Sequence, residues 1–190
     1  MLKEMRELIL EGNTYTADVE IIEKTDKKNL AEMYSLWNSL SSKLSSYGCR
    51  RINFPEISEL IFCLIYDCWR VNNVSGIGKH SSFDCYNPKN HSRIQIKATS
   101  VEDDLTSFGP KSVWDELYFM DFFSNNCYDG SFNVYLIPNE DIYNFKLNKN
   151  QTFVDQQKEG RRPRFHIKKG LIKPLEIKPI GCYNIFDLWN

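Results

Sequence analysis

The chain has 190 residues, of which 42% are hydrophobic and 26% charged, and its formal net charge is −1. This composition excludes a disordered protein and is sufficient for a sizeable core in one domain, which we expect to span residues 1–190. No apolar run is long enough to span a membrane, and the alternating charges of residues 1–7 do not resemble a signal peptide. We therefore expect no membrane partner and a cytoplasmic location.

The six cysteines contain no CxxC pair. Cys63 and Cys68 fall in an apolar helical pattern, and Cys85 alternates with strand residues. We therefore expect reduced, mostly buried thiols rather than disulfides. Cys85 and His91 are the one combination that suggests zinc, and they lack a second ligand pair at a suitable spacing.

The first third of the chain has three helical patterns. Residues 2–11 place apolar side chains on one helical face and end at Gly12, which predicts a short helix. Asp26 is a candidate cap for a second helix, whose apolar residues keep helical spacing: Leu30, Met33, Tyr34, Trp37, Leu40 and Leu44. Pro55 suits the first turn of a third helix, which has a broad apolar stripe: Ile57, Leu60, Ile61, Leu64, Ile65 and Cys68.

A strand pair follows these helices. Residues 82–86 and 93–99 have the pattern of two short strands, joined by a turn at residues 87–90. Ser112 predicts the start of a fourth helix, with Asp115 as its capping partner three residues later. Residues 128–130 predict a turn and residues 132–137 a strand. This order of elements predicts the α/β class, with a mixed β-sheet flanked by helices.

The strand pair carries polar side chains that suit a hydrolytic metal site. Gln95 and Lys97 are two residues apart and therefore share one face of a strand, while Asp84 lies on the neighbouring strand. A carboxylate beside such a polar-x-lysine pair can hold a divalent ion next to a positive charge, which suits phosphodiester cleavage. The alternative is an ordinary hairpin with a solvated polar face.

The third helix adds two carboxylates. Glu59 lies at the edge of the apolar stripe and can face the sheet, although a solvated helix carboxylate is the simpler explanation for this residue alone. Glu56, next to Pro55, is explained by the favourable effect of negative charge at a helix N-terminus.

These four residues, Glu59, Asp84, Gln95 and Lys97, resemble the catalytic pattern of the PD-(D/E)XK nuclease superfamily. The resemblance implies a nuclease core at about residues 55–137, in the order helix, strand, strand, helix, strand. It also implies Mg²⁺ ligation by Glu59 and Asp84, a metal site completed or oriented by Gln95, and a Lys97 that contacts the scissile phosphate or positions water. One departure is that the family has an acidic residue where this chain has Gln95, which lowers the negative charge of the site.

A basic segment occupies residues 158–178, where two acidic residues oppose eight basic ones: Lys158, Arg161, Arg162, Arg164, Lys168, Lys169, Lys173 and Lys178. Pro163 restricts Arg162 to extended geometry. Arginine can read guanine in the major groove, whereas a phosphate-attracting loop binds without reading bases, and both interpretations stay open. The residues that we expect to contact DNA are Arg161, Arg162, Arg164, Lys168 and Lys169, together with Lys111 and Ser112 at the start of the predicted fourth helix.

Residues 82–84, 94–98, 108–117 and 160–167 together resemble the small family of Type II restriction endonucleases that cuts the interrupted palindrome GCNGC. The resemblance implies Mg²⁺-dependent cleavage of double-stranded DNA at a short palindromic site, and a companion DNA methyltransferase that acts on the same site. A palindromic site predicts a homodimer.

The N-terminal helices are the candidate dimer surface through Met33, Tyr34 and Trp37, and core packing is the stronger alternative for these side chains. Two other functions remain open. One is a structure-specific or repair nuclease on the same core, and the other is a non-catalytic DNA-binding module in which Gln95 marks a decayed site.

Overall fold

The computed structural model describes residues 1–76 and 83–188. The strands in these ranges are β1 (Leu2–Leu10), β2 (Asn13–Ile21), β3 (Trp69–Val74), β4 (Cys85–Tyr86), β5 (Arg93–Thr99), β6 (Thr106–Ser107), β7 (Glu116–Asp121), β8 (Ser131–Ile137), β9 (Arg164–Phe165) and β10 (Gly181–Asn184). The α-helices are α1 (Lys27–Ser46), α2 (Ile57–Tyr66), α3 (Asn139–Tyr143) and α4 (Phe153–Lys158). Single turns of 3₁₀ and π helix cover Lys24–Asp26 and Lys168–Ile172.

Eight of these strands form one mixed sheet in the order β1-β2-β3-β4-β5-β7-β8-β10, and β6 pairs with β9 in a separate two-stranded ribbon. Within the described residues, β5 and β7 are parallel and the other neighbouring strands are antiparallel. The predicted α/β class, with a mixed sheet flanked by helices, is therefore confirmed.

The predicted helix at residues 2–11 is wrong, because this segment is strand β1. It pairs with β2 over nine residues, and Glu11 and Gly12 form the two-residue turn with positive φ values of 52° and 79°. Burial follows the two-residue period of a strand at Leu8 and Leu10, which are 0% and 6% exposed. Met5, on the predicted apolar helical face, is exposed instead.

Helices α1 and α2 agree with the second and third predicted helices. The Asp26 side chain does not cap α1; it accepts from the Glu23 N–H at 2.9 Å and contacts the chain's amino group. On α1, Tyr34 and Trp37 are buried while Met33 is exposed. Core packing therefore accounts for Tyr34 and Trp37, which we no longer assign to a dimer surface.

The predicted fourth helix is also wrong, because residues 116–121 form the central strand β7. Its side chains alternate between two cores: Leu117 and Phe119 belong to one cluster, whereas Tyr118 and Met120 pack with the other. Asp115 caps no helix and instead accepts hydrogen bonds from the Arg93 backbone and guanidinium. The predicted helix–strand–strand–helix–strand order is thus replaced by α2 followed by strands β3–β8. The strand predicted at residues 132–137 is confirmed as β8.

Two hydrophobic cores flank the central strands. Helices α1 and α2 pack against one face, in a cluster that includes Cys85, Ile94 and Ile96. Phe108 and Phe165, from the ribbon side of the molecule, belong to the cluster on the other face. No cysteine forms a disulfide. None of the helices in the described part of the chain is long and apolar enough to cross a bilayer.

Candidate active site

Asp84 immediately precedes β4 and is held between β5 and β3 by its backbone. Its backbone N–H donates to the Ile94 carbonyl at 2.9 Å, and its own carbonyl accepts from the Val71 N–H at 3.0 Å. The side-chain oxygen Oδ2 accepts from the Ile96 N–H at 2.7 Å and from the Gln95 amide group. The predicted pairing of Asp84 with Gln95 across two adjacent strands is therefore present. Ser82, the first residue of the predicted hairpin, lies outside the described residues.

Glu59 reaches this site from α2. It lies in the first turn of the helix, where its side chain is 18% exposed, and its Oε2 accepts from Arg70 Nε at 2.6 Å. Arg70 is on β3, where it pairs with Cys85, the residue that follows Asp84. Helix α2 and strands β3 and β4 thus place Glu59 near enough to Asp84 for their charges to interact.

Burial and neighbouring charges perturb both carboxylates. Burial, followed by repulsion from Asp84, raises the pKa of Glu59 to about 7, against the opposing effect of Arg70. Burial also raises the pKa of Asp84, while the Lys97 ammonium and the Ile96 N–H act in the opposite direction. A buried carboxylate pair of this kind is stabilised by a positive charge placed between its members.

Lys97 lies on the same strand face as Gln95, two residues further along β5. Its ammonium is 5.5 Å from the centre of the Phe108 ring. Lys97 also lines a cavity of about 340 Å³, bordered by residues 51–54 on one side and residues 98–101 and 104–107 on the other. Lys97 is the candidate site residue that lines this cavity, which has room for a phosphate group.

The donor groups fit a Mg²⁺ ion. In residues 1–76 and 83–188, no three His, Cys, Asp or Glu side chains are grouped so that they could hold a metal. Mg²⁺ nevertheless needs only one or two carboxylates, because it retains several water ligands. Glu59 and Asp84 supply two, and the unfavourable burial of both is the condition that a divalent cation relieves. The Gln95 oxygen becomes a third ligand only if its amide rotates, since its nitrogen now donates to Asp84.

The basic segment reaches the same cavity through the ribbon of β6 and β9. Arg164 is exposed and pairs with Ser107, one of the residues that line the cavity. Arg164 is thus one strand away from a residue of the cavity wall, although it does not line the cavity itself. Arg161 and Arg162 are exposed on the approach to this ribbon.

Lys168 does not share this exposure. Its side chain is 8% exposed, and its ammonium contacts Asp121 at 2.9 Å and Glu102 at 3.0 Å. This lysine attaches the C-terminal segment to the end of β7, and we exclude it from the proposed DNA contacts. Lys169 is exposed and contacts Asp103.

Lys111 and Ser112 lie in a turn before β7, so the reason for proposing a phosphate site there, a helix start, is wrong. Lys111 is exposed, and Ser112 is half-buried.

The sequence pattern missed Arg70 and Glu20. Arg70 contacts Glu59, Glu20 and Glu56 with its three nitrogen atoms, and Glu20 is almost fully buried. In the sequence, Glu20 and Arg70 are charged residues within strand-like segments, as is usual for a strand with one solvent-exposed face. No local signal therefore distinguished these residues before the order of the strands was known.

Comparison with known proteins identifies the family of the chain. A family model described as Bsp6I restriction endonuclease matches residues 22–174, a range that contains Glu59, Asp84, Gln95, Lys97 and Arg164. The chain is 36% identical over 164 residues to the Type II restriction enzyme Bsp6I of Bacillus sp. (strain RFL6), covering 84% of this chain and 88% of that protein. No solved structure matches the chain. The chain therefore belongs to the Bsp6I restriction endonuclease family and is a site-specific deoxyribonuclease.

Proposed function

We propose that this restriction endonuclease uses Mg²⁺ to cut double-stranded DNA at a short palindromic, GCNGC-like site, with a PD-(D/E)XK type of catalytic centre. The observation that carries the proposal is the convergence of Glu59, Asp84, Gln95 and Lys97 from α2, the start of β4 and β5. Two buried carboxylates and an ammonium beside an open cavity are the groups that phosphodiester hydrolysis needs.

Each residue has a distinct role in this proposal. Glu59 and Asp84 hold the cation, which when bound supplies Lewis-acid polarisation of the phosphate and a more acidic water. Gln95 orients Asp84 through the amide hydrogen bond to its Oδ2. Lys97 donates to the phosphate oxygen on which negative charge accumulates as water attacks phosphorus and the P–O ester bond breaks.

We assign recognition of the DNA sequence to the ribbon of β6 and β9. Arg164 is the candidate for a base contact, because it is exposed and its strand partner Ser107 lines the cavity. Exposed Arg161, Arg162 and Lys169 are the candidates for phosphate contacts. Residues 158–178 have more basic than acidic residues, but Lys168, Lys169 and Lys173 pair with Glu102, Asp103 and Asp121 in the fold. The attraction for DNA is therefore assigned mainly to the exposed arginines of this segment.

We further propose that the enzyme acts as a homodimer, because a palindromic site requires two reading and cutting units related by a two-fold axis. The exposed face of α1, which carries Met33, Leu36 and Leu40, replaces the buried Tyr34 and Trp37 as the candidate surface. A cellular role of this kind also requires a DNA methyltransferase of the same sequence specificity, to protect the host DNA. The proposed domain is the whole chain, with the catalytic core in the central sheet.

The test is incubation of purified protein with unmethylated plasmid DNA, with Mg²⁺ or with EDTA, followed by sequencing of the ends. Discrete Mg²⁺-dependent fragments with ends at one palindromic sequence are expected. The Lys97→Ala variant should bind the same DNA without cutting it. The matched control is Lys89→Ala, on the turn of the same hairpin, where the lysine pairs with exposed Asp67.

Other outcomes contradict the proposal in different ways. Metal-independent binding without nicking would indicate a non-catalytic DNA-binding module, and a preference for branched DNA would indicate a structure-specific or repair nuclease. Undiminished cleavage by Lys97→Ala would remove Lys97 from the mechanism.

A further inference from the structure

Arg70 occupies the centre of a charged cluster behind the candidate active site. Its Nε donates to Glu59 at 2.6 Å, its Nη1 to Glu20 at 3.0 Å and its Nη2 to Glu56 at 2.6 Å. The arginine side chain is 20% exposed, so these contacts are shielded from water except at Glu56, which is 80% exposed. The two contacts that carry most of the interaction are therefore those to Glu59 and Glu20.

The backbone holds this arginine in place. Arg70 pairs with Glu20 on β2 and with Cys85 on β4, so it lies on the sheet between the N-terminal hairpin and the strand that follows Asp84. Glu20 is in turn bound by Lys3 of β1, at 2.8 Å. The planar guanidinium has little freedom to move, because its donors are directed at three carboxylates, one on β2, one on α2 and one on the residue before α2.

We propose that Arg70 is a positioning residue, which holds the Glu59 carboxylate in the orientation required for a divalent cation shared with Asp84. The inference rests on the metal site of the proposed function. Arg70 engages only Oε2 of Glu59, and Oε1 is the oxygen left to the cation. Outer hydrogen bonds to a ligating carboxylate fix its orientation, and their loss typically weakens metal binding by about 10–100-fold.

A positive charge behind a metal ligand also repels the metal. The negative charge of Glu20 reduces this repulsion. Its buried carboxylate accepts from Arg70 on the side away from Glu59, so it offsets much of the arginine's charge while the hydrogen bond to Glu59 remains. The N-terminal hairpin is thus connected to the catalytic site through Glu20, although it contributes no ligand of its own.

The decisive measurement is calorimetric titration of the DNA-free protein with Ca²⁺, a cation that reports binding without a need for cleavage. Arg70→Gln is expected to weaken Ca²⁺ binding by about 10–100-fold, and Arg70→Lys by less, because lysine retains one charged donor. Glu56→Gln is the matched control, since it removes an exposed partner of the same arginine and should lower the affinity far less than Arg70→Gln does. DNA binding in EDTA should be the same for all four proteins.

Each result supports or overturns either the positioning role of Arg70 or the proposed metal site. Unchanged or tighter Ca²⁺ binding by Arg70→Gln would overturn the positioning role, and tighter binding would mean that repulsion dominates. If Arg70→Gln does not fold, Arg70→Lys decides by the same criterion. If the wild-type protein binds no Ca²⁺, or Asp84→Asn binds it as well as the wild type does, the proposed metal site itself fails. If Asp84→Asn loses Ca²⁺ binding but neither Arg70 variant does, only the positioning role of Arg70 is overturned.

Discussion

Glu59→Gln should make the metal-free protein more stable at alkaline pH, which is an unusual result for the loss of an ion-paired side chain. Raising the pKa of this carboxyl from 4.5 to about 7 costs its ionised form about 3 kcal/mol, at about 1.4 kcal/mol for each pKa unit. Glutamine resembles the protonated acid in shape and can still accept from Arg70, so it avoids this cost.

The sign of the pH dependence follows from proton binding. Between pH 4.5 and 7 the folded protein holds a proton on Glu59 that the unfolded chain has released, so the unfolding free energy contributed by this group falls as the pH rises. The wild type and Glu59→Gln should be similarly stable near pH 5. They should diverge by up to about 3 kcal/mol in favour of the variant by pH 8.

Urea unfolding in EDTA at several pH values between 5 and 8.5 measures this difference. Glu56→Gln, which removes an exposed carboxylate from the same arginine, is the control and should stay close to the wild-type profile, because Glu56 contributes only a minor part of the raised pKa of Glu59. Parallel pH profiles of the wild type and Glu59→Gln, or a variant that is less stable at pH 8, would refute the argument that burial and Asp84 oppose the ionisation of Glu59.

Three further predictions concern other parts of the molecule. Arg164→Ala should weaken binding to the cognate site by about 1–3 kcal/mol relative to unrelated DNA, in gel-shift titrations at fixed salt; an equal loss on both DNAs would assign Arg164 to the phosphates. Lys168→Met should lower the unfolding free energy by about 3–5 kcal/mol, because it leaves Asp121 buried without its partner, and a loss under 1 kcal/mol in urea would contradict this. Burial raises the pKa of Cys68 and Cys85. A thiol reagent should therefore modify the exposed Cys49 and Cys182 in the folded protein. The buried Cys63, Cys68 and Cys85 should react only after the protein unfolds.

The spacing of residues was sufficient to predict an element where it fitted only one type of secondary structure. The apolar spacing of α1 and α2 fits a helix and no strand, and both helices formed as expected. The two-residue spacing of Gln95 and Lys97 requires a shared face on any strand, so their placement on one side of β5 followed directly from the order of residues. The aspartate that precedes β4 was brought beside β5 because a short turn pairs the two strands that it joins.

The pattern was ambiguous in the two segments that were assigned to helices and form strands. Residues 2–11 have apolar side chains compatible with either period, and the choice was made by hydrogen bonds to β2. Residues 117–123 are apolar on almost every side, which is equally consistent with a buried helix and a strand covered on both faces. Parallel pairing with β5 decided between them, and no feature of the segment itself encodes its partner.

The amino-acid sequence by itself thus determined the fold class, the two helices α1 and α2, and the identity of the residues that carry the proposed chemistry. Only the tertiary structure decided which charges meet: Arg70 with Glu59 and with Glu20, 50 residues earlier in the chain, and Lys168 with Asp121. The physical reason is that periodicity reports which face of an element is buried, whereas a charge pair depends on the order of strands in the sheet. That order results from the packing of the whole chain.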